Sequence, residues 1–248
     1  MTHRILVTRP AAQSAELCAL LAARGLEPIA APTVEIDTAS SAADLDAMLE
    51  RLAGAAWLVL TSANGAVALV ARIAATGRHL PDDVRVAAVG PATAGALEAA
   101  GIQVDHVPDA FLTAPIADGL GDLDGRRVVL ARADAATPAL HDALVARGAL
   151  VEEVVAYRTI EGPGTSRDAV RDALATDLGG IAFTSGSTVR GLVRLAPNAD
   201  RAIPAHCIGP VTAAEARRAG FEVAVVADEH TAIGLTDAIA THLLEKAR

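Results

Sequence analysis

Short, uninterrupted apolar runs recur along the chain, and each is followed by a longer alanine-rich stretch of helical periodicity. The runs include Ile5–Arg9 (ILVTR), Trp57–Ser62 (WLVLTS), Val84–Gly90 (VRVAAVG), Arg126–Arg132 (RRVVLAR) and Ile181–Ser185 (IAFTS). They are continuous rather than alternating, which predicts parallel strands buried on both faces. The helical stretches carry exit signals at Gly25, Gly77, Gly101, Gly148 and Gly220, where a left-handed residue ends a helix. Strand and helix alternate throughout, so the pattern predicts an α/β protein built from right-handed βαβ units.

The pattern also repeats. ILVTR, with its helix ending at Gly25, returns as VVLAR, with its helix ending at Gly148, at an offset of 123 residues. LVLTS (Leu58–Ser62) returns as IAFTS (Ile181–Ser185) at the same offset. VGPATA (Val89–Ala94) returns as IGPVTA (Ile208–Ala213) at an offset of 119. Matched segments in one order at nearly one spacing indicate a duplicated unit of about half the chain. The period is far too long for a solenoid. Two similar domains are expected, and the repeat alone would cut them near residue 125.

Ligands of parallel α/β sheets bind beyond the carboxyl ends of the strands. Those ends read Thr8-Arg9-Pro10, Thr61-Ser62-Ala63-Asn64, Gly90-Pro91-Ala92-Thr93, Thr184-Ser185-Gly186-Ser187 and Gly209-Pro210-Val211-Thr212. Ser, Thr and Asn cap helix N-termini, and proline suits the first turn. Capping alone accounts for any one of these sites. Several such termini around one cleft would also present N–H groups to anionic oxygens, each worth on the order of 0.3–1 kcal/mol.

Composition narrows the chemistry. The 248 residues fit one large domain or two small ones, and 52% are hydrophobic, many of them alanine. No run of about 18 apolar residues would span a membrane, and the opening MTHRILVTRP lacks the apolar core of a secretory leader. A cytoplasmic protein without membrane partners is expected. The formal net charge of −9 argues against nucleic acid. Lys246 is the only lysine, so neither a Schiff base nor a P-loop is available. The seven histidines show no metal-ligand spacing, so no metal is expected. Cys18 and Cys207 read as small core residues. Glu152-Glu153 reads as a solvated strand edge. Tyr157 is the sole tyrosine, near the end of a strand pattern, where an edge position with a wet hydroxyl is the ordinary reading. Phe111, in the loop PDAFLTAP, is a candidate cleft wall.

Taken in order, ILVTRP, LAARGLEPIAAPTVEI, LVLTSANGAVAL, VAAVGPATAGALEAAG, LVARGALVEEVVAYRT, IAFTSGSTVRGLV and CIGPVTAAEARRAGFEVAVVADEHTAIGL resemble the uroporphyrinogen-III synthase family over nearly the whole chain. The resemblance implies two flavodoxin-like α/β domains with parallel sheets flanked by helices, residues 1–36 with 159–248 and residues 37–158. TVEID and VAYRTI would join them as a two-stranded antiparallel linker, with the active site in the cleft between. The implied reaction closes hydroxymethylbilane, a linear tetrapyrrole, with loss of water and inversion of the last ring, and it needs no cofactor. Spontaneous closure gives the unflipped type I isomer, so the protein's task is geometry. The implied substrate-binding residues are Arg9, Thr61, Ser62, Asn64, Gly90, Thr93, Ser185, Gly186, Ser187, Gly209 and Thr212. Tyr157 would assist departure of the hydroxyl. A monomer is implied, with hydroxymethylbilane synthase as upstream donor. Other readings are a noncatalytic, synthase-like binding or sensor module and a flavodoxin-like nucleotide or flavin protein. The shortage of aromatics and the missing phosphate loop weigh against the last.

Overall fold

The computed structural model describes residues 3–108 and 113–245. Phe111 and Lys246 lie outside the described residues. In chain order the elements are β1 (Arg4–Val7), α1 (Ala11–Ala23), β2 (Glu27–Ala30), β3 (Val34–Asp37), α2 (Ala42–Arg51), β4 (Trp57–Leu60), α3 (Ala63–Thr76), β5 (Arg85–Ala88), α4 (Pro91–Glu98) and α5 (Thr113–Asp118). There follow β6 (Arg127–Ala133), α6 (Ala139–Ala146), β7 (Leu150–Glu161), α7 (Arg167–Leu174), β8 (Gly180–Phe183), α8 (Gly186–Leu195), β9 (Ala205–Cys207), α9 (Pro210–Arg218), β10 (Val223–Val226) and α10 (Ala232–Glu245). The five exit glycines all have φ between 66° and 88°, as a left-handed helix end requires.

Two compact units form, Met1–Glu35 with Ile160–Arg248, and Ile36–Thr159. The first holds the sheet β10-β9-β8-β1-β2 and the second the sheet β5-β4-β6-β7-β3. Every pairing among β10, β9, β8, β1 and β2 is parallel, as are those among β5, β4, β6 and β7. The duplication is visible in these orders. The repeated segments make β1 equivalent to β6, β8 to β4 and β9 to β5, and the runs β9-β8-β1-β2 and β5-β4-β6-β7 then match strand for strand. β10 extends one sheet and β3 extends the other at its opposite end. A single parallel bridge, Ala87 to His106, stands beside β5 where β10 stands beside β9. The repeat is therefore interleaved. β1, early in the chain, pairs with β8, and a cut near residue 125 would separate β4 from its partner β6.

Alternate residues of the central strands enter opposite apolar layers, as the two-residue period of a strand requires. In the first unit Leu6, Ile181, Phe183 and Cys207 pack on one side, while Ile5, Val7 and Ala182 pack on the other. In the second unit Leu58, Leu60, Val129 and Ala131 oppose Trp57, Val59, Val128 and Leu130. Cys18 and Cys207 are free thiols, and burial pushes the Cys207 thiol up to about 11. Glu152 and Glu153 are ion-paired, Glu152 with Arg51 and Glu153 with Arg132, each at 2.7 Å.

The first unit is tied together by three buried threonines. Thr8 Oγ1 donates to the Ala182 carbonyl at 2.7 Å. Thr33 N donates to the Thr8 carbonyl at 3.1 Å, and Thr33 Oγ1 donates to the Thr188 carbonyl at 2.8 Å. Gly162 N donates to the Thr33 carbonyl at 2.9 Å. A Cβ on Gly191 would stand 2.0 Å from that same carbonyl oxygen, so only glycine lets α8 approach this closely. Thr33 thus joins the end of β1, the first turn of α8 and the residue after β7.

His206 sits next to Cys207 on β9 but faces the other way, ring to ring with His242 at 5.6 Å. Neither of its ring nitrogens has a hydrogen-bond partner among the described residues. Burial, and secondarily His242, push its imidazole down to about 3.

Two outcomes follow from these contacts. Thr33→Val is expected to lower the unfolding free energy by about 1–3 kcal/mol, because it strips donors from buried carbonyls; Thr33→Ser should retain most of it, as read by urea unfolding. Unfolded His206 takes up a proton near pH 6.5 while the folded ring stays neutral to about pH 3. Stability is therefore full above pH 6.5 and falls as pH drops toward 3, by roughly 1.4 kcal/mol per unit separating the two values. Urea midpoints against pH should show this slope, and His206→Leu should flatten it.

Candidate active site

Each candidate residue lies just beyond the carboxyl end of a parallel strand, except Tyr157, which lies within one. In the first unit three adjacent strands contribute. β1 leads to Arg9, whose guanidinium is mostly covered and stands 3.8 Å from Glu16 Oε2. The Arg9 carbonyl accepts the Ser14 hydroxyl at 3.0 Å, which fixes the turn into α1. β8 leads to Ser185, in extended backbone at the N-cap of α8. Ser185 Oγ accepts from Thr188 N at 3.3 Å, while Ser185 N donates to Thr188 Oγ1 at 3.4 Å. This is a reciprocal capping box. Ser185 Oγ and Ser187 Oγ are 2.8 Å apart, with Gly186 between them. β9 leads to Gly209, extended at the N-cap of α9, with Pro210 at the first helical position and Thr212 two residues on.

The second unit builds the same set from its own sheet. β4 leads to Thr61 and Ser62, and Ser62 Oγ accepts from Gly65 N at 3.1 Å at the start of α3. Asn64 occupies the first turn of that helix. β5 leads to Gly90, the extended N-cap of α4, with Pro91 at the first helical position and Thr93 two residues on.

Two kinds of helix start alternate in both units. Serines cap α3 and α8. At α4 and α9 the cap is glycine, and no side chain satisfies the first-turn amides. Proline contributes no N–H at either start, and at α4 Thr93 N donates to the Gly90 carbonyl at 3.0 Å, so among the described residues Ala92 N at α4, and Val211 N and Thr212 N at α9, remain available to an outside oxygen. The repeated threonines lie in that first turn. Thr93 and Thr212 are 4% and 5% exposed, and neither hydroxyl is hydrogen-bonded among the described residues. A nearly buried, unbonded hydroxyl beside uncapped amides is a ready oxygen-binding pair. Val211, next to Thr212, is by contrast 82% exposed, an apolar surface at the same edge.

Tyr157 differs from the ordinary reading of a wet edge position. β7 has β6 on one side and β3 on the other, and Tyr157 is 8% exposed within the apolar layer that holds Ala66, Ala131 and Ala156. Its register partner is Ala133, where the ladder is irregular, and its carbonyl accepts Asp134 N at 3.2 Å. Its hydroxyl makes no hydrogen bond among the described residues.

The repeat places Arg132 where Arg9 stands in the other unit, but Arg132 is consumed internally. It donates to the Thr137 carbonyl at 2.6 Å and to Glu153 at 2.8 Å. Thr33, Arg190 and His230 escaped the sequence reading. Thr33 precedes a strand in an unremarkable APTVEI segment, and Arg190 is one of many helical arginines. The His230 ring lies 3.0 Å from where a Cβ on Gly209 would stand; the offset of 119 that pairs Gly90 with Gly209 also pairs Phe111 with His230. Among the described residues no cluster of acids, histidines and cysteines could hold a metal, and no helix is long and apolar enough to cross a membrane.

The family model for uroporphyrinogen-III synthase HemD matches residues 15–237. A uroporphyrinogen-III synthase from Synechococcus elongatus is 33% identical over 246 residues, covering 95% of this chain and 93% of that protein. A mutant uroporphyrinogen III synthase from Thermus thermophilus superposes with a TM-score of 0.66 at 20% identity, covering 98% of this chain and 100% of that one. The uroporphyrinogen-III synthetase of Helicobacter pylori gives 0.60 at 15% identity, with both chains fully covered. These structures share the two-domain α/β fold with parallel sheets.

Ser185→Ala should lower the unfolding free energy by ~1 kcal/mol through loss of the capping box. Thr212→Val should leave it nearly unchanged, since the hydroxyl has no hydrogen-bond partner among the described residues. Urea unfolding of the two variants separates the serine cap from the threonine that stabilises nothing.

Proposed function

The chain belongs to the uroporphyrinogen-III synthase family, cyclising lyases that act on hydroxymethylbilane in tetrapyrrole synthesis, and from that premise we propose how its residues carry the reaction. The observation that supports the reading is the duplicated Gly-Pro-x-Thr start of α4 and α9. Each unit presents a helix start without a side-chain cap, with at least one open amide and, among the described residues, an unbonded threonine hydroxyl at the carboxyl edge of its own sheet. A linear tetrapyrrole is a polycarboxylate. An acidic protein gains no long-range steering of such an anion, so recognition falls to local donors.

In this reading Gly90 and Thr93 of one unit, and Gly209 and Thr212 of the other, take carboxylates through amides and hydroxyls. Thr61, Ser62 and Asn64, and Ser185, Gly186 and Ser187, do the same from the neighbouring helix starts. Arg9 adds a charge-assisted contact. Val211 offers a surface to a pyrrole face. The strand order of the first sheet, 2-1-3-4-5 by chain position within the unit, supports a flavodoxin-like description. β3 with the end of β7 serves as the two-stranded linker. The catalyst is cytoplasmic, acts as a monomer without cofactor, and receives its substrate from hydroxymethylbilane synthase.

The reaction begins with loss of the terminal hydroxyl. The Tyr157 phenol donates a hydrogen bond to the departing oxygen. The N–H proton of the same pyrrole leaves with it, so one water is lost and an azafulvene remains. The last pyrrole attacks through its substituted carbon, and the spiro intermediate reopens and closes in the inverted sense. No protein group forms a bond to the substrate. The protein's part is a near-attack geometry that favours the hindered carbon over the free one.

Freshly generated hydroxymethylbilane mixed with the protein should yield mostly type III uroporphyrin after oxidation. Type I alone, at the spontaneous rate, would leave a folded binding module without this chemistry. Tyr157→Phe should lower kcat by about ten- to a thousandfold while urea unfolding stays near wild type. Full activity in that variant would remove Tyr157 as the donor.

A further inference from the structure

The carboxyl edge of the first sheet carries a cation that no motif reveals. Arg190 lies one turn into α8, beyond the Ser185-Gly186-Ser187 start. Its Nε and Nη2 both donate to Glu161 Oε1, at 2.9 and 2.6 Å. The Glu161 side chain is 13% exposed, and its other oxygen is 3.1 Å from Arg194 Nη2. Glu161 is thus fixed from two sides and grips one edge of the Arg190 guanidinium. The remaining nitrogen, Nη1, is 3.6 Å from Glu215 Oε2, too long for a hydrogen bond. Glu215 is itself engaged by Arg218. Arg190 Nη1 stands 3.1 Å from the point a Cβ on Gly186 would occupy. The absence of a side chain at Gly186 therefore leaves the guanidinium lying against the first residue of α8.

Charge and accessibility agree with this placement. Arg190, Arg194 and Arg218 face Glu161 and Glu215, so the cluster carries one positive charge in excess. The Arg190 side chain is 47% exposed, which leaves its free edge open to a ligand. A guanidinium held along its Nε–Nη2 edge by one carboxylate is oriented to offer its other nitrogen to a second.

We propose that Arg190 is a substrate-binding residue whose Nη1 takes a carboxylate of the linear tetrapyrrole together with the amides at the start of α8, and that Glu161 is the positioning residue that aims it. The inference rests on the reading of function given above and adds to it an oriented cation at the α8 start. It is also consistent with Gly186, since a side chain there would crowd the guanidinium and shift it by a few tenths of an ångström.

The test is steady-state formation of the type III product by wild type, Arg190→Gln, Arg190→Lys and Glu161→Gln, with urea unfolding of each. Arg190→Gln should raise KM about ten- to hundredfold, with kcat changed by less than about threefold. Arg190→Lys should recover part of the loss, because it keeps the charge but not the fork. Glu161→Gln should raise KM less than Arg190→Gln, because the cation remains but is no longer aimed. Both Arg190→Gln and Glu161→Gln break the same pair, so a purely structural role predicts similar stability losses and unchanged KM in both. An Arg190→Gln KM equal to wild type overturns the inference while leaving the function standing. A wild-type protein that forms only type I product overturns the reading of function, and this inference with it.

Discussion

The first amides of an α-helix have no partner within the helix. In a parallel α/β sheet every such start is delivered to the same edge, because each strand runs into the next helix in the same sense. This constraint organises the whole chain. At α3 and α8 a serine side chain takes one of the orphan donors, Gly65 N and Thr188 N respectively, and fixes the turn, while the amides before it stay open. At α4 and α9 glycine followed by proline provides no side-chain cap, which leaves Ala92 N open in one and Val211 N and Thr212 N open in the other, with a threonine hydroxyl alongside. Each sheet therefore sets a serine-capped start beside a glycine-proline start on adjacent strands. A polyanion can be held by such an edge without a basic surface, which is consistent with a net charge of −9.

The interleaved duplication gives that edge its fixed frame. β1 is inserted beside β8, and the buried threonines Thr8, Thr33 and Thr188 lock the turn after β1 to the first turn of α8. The Thr33 carbonyl also receives Gly162 N, and Glu161 is held by Arg190 and Arg194. One helix, α8, thus carries a candidate binding start at its front and holds the chain just before β3 and at the end of β7 along its length. Groups placed this tightly keep their donors aimed, and aim is what a reaction with an accessible uncatalysed competitor demands.

The strands were legible because they are buried on both faces, so LVLTS, VVLAR and IAFTS stand out as apolar runs, and the helix exits because only glycine accepts their backbone. Ser62 and Ser185 were legible as caps from their position after a strand. The Gly-Pro-x-Thr starts were legible from repetition alone. What stayed hidden depends on partners distant in the chain. Tyr157 reads as an edge residue until β3, far earlier in sequence, is seen beside β7. Thr33 gives no local signal, because its hydroxyl bonds a carbonyl on a helix that begins in the other half of the chain. Arg190 becomes chemically meaningful only through Glu161, and the repeat offset misplaces the domain cut because equivalent strands are exchanged between units.

The central claim is that backbone amides at the carboxyl edges of both sheets hold the substrate's carboxylates. Backbone amide NMR spectra of the protein titrated with uroporphyrinogen III address it directly. The largest shifts are expected at Ala92, Gly186, Ser187, Val211 and Thr212, drawn from both units and saturating together. Shifts confined to one unit, or centred away from these helix starts, would contradict it.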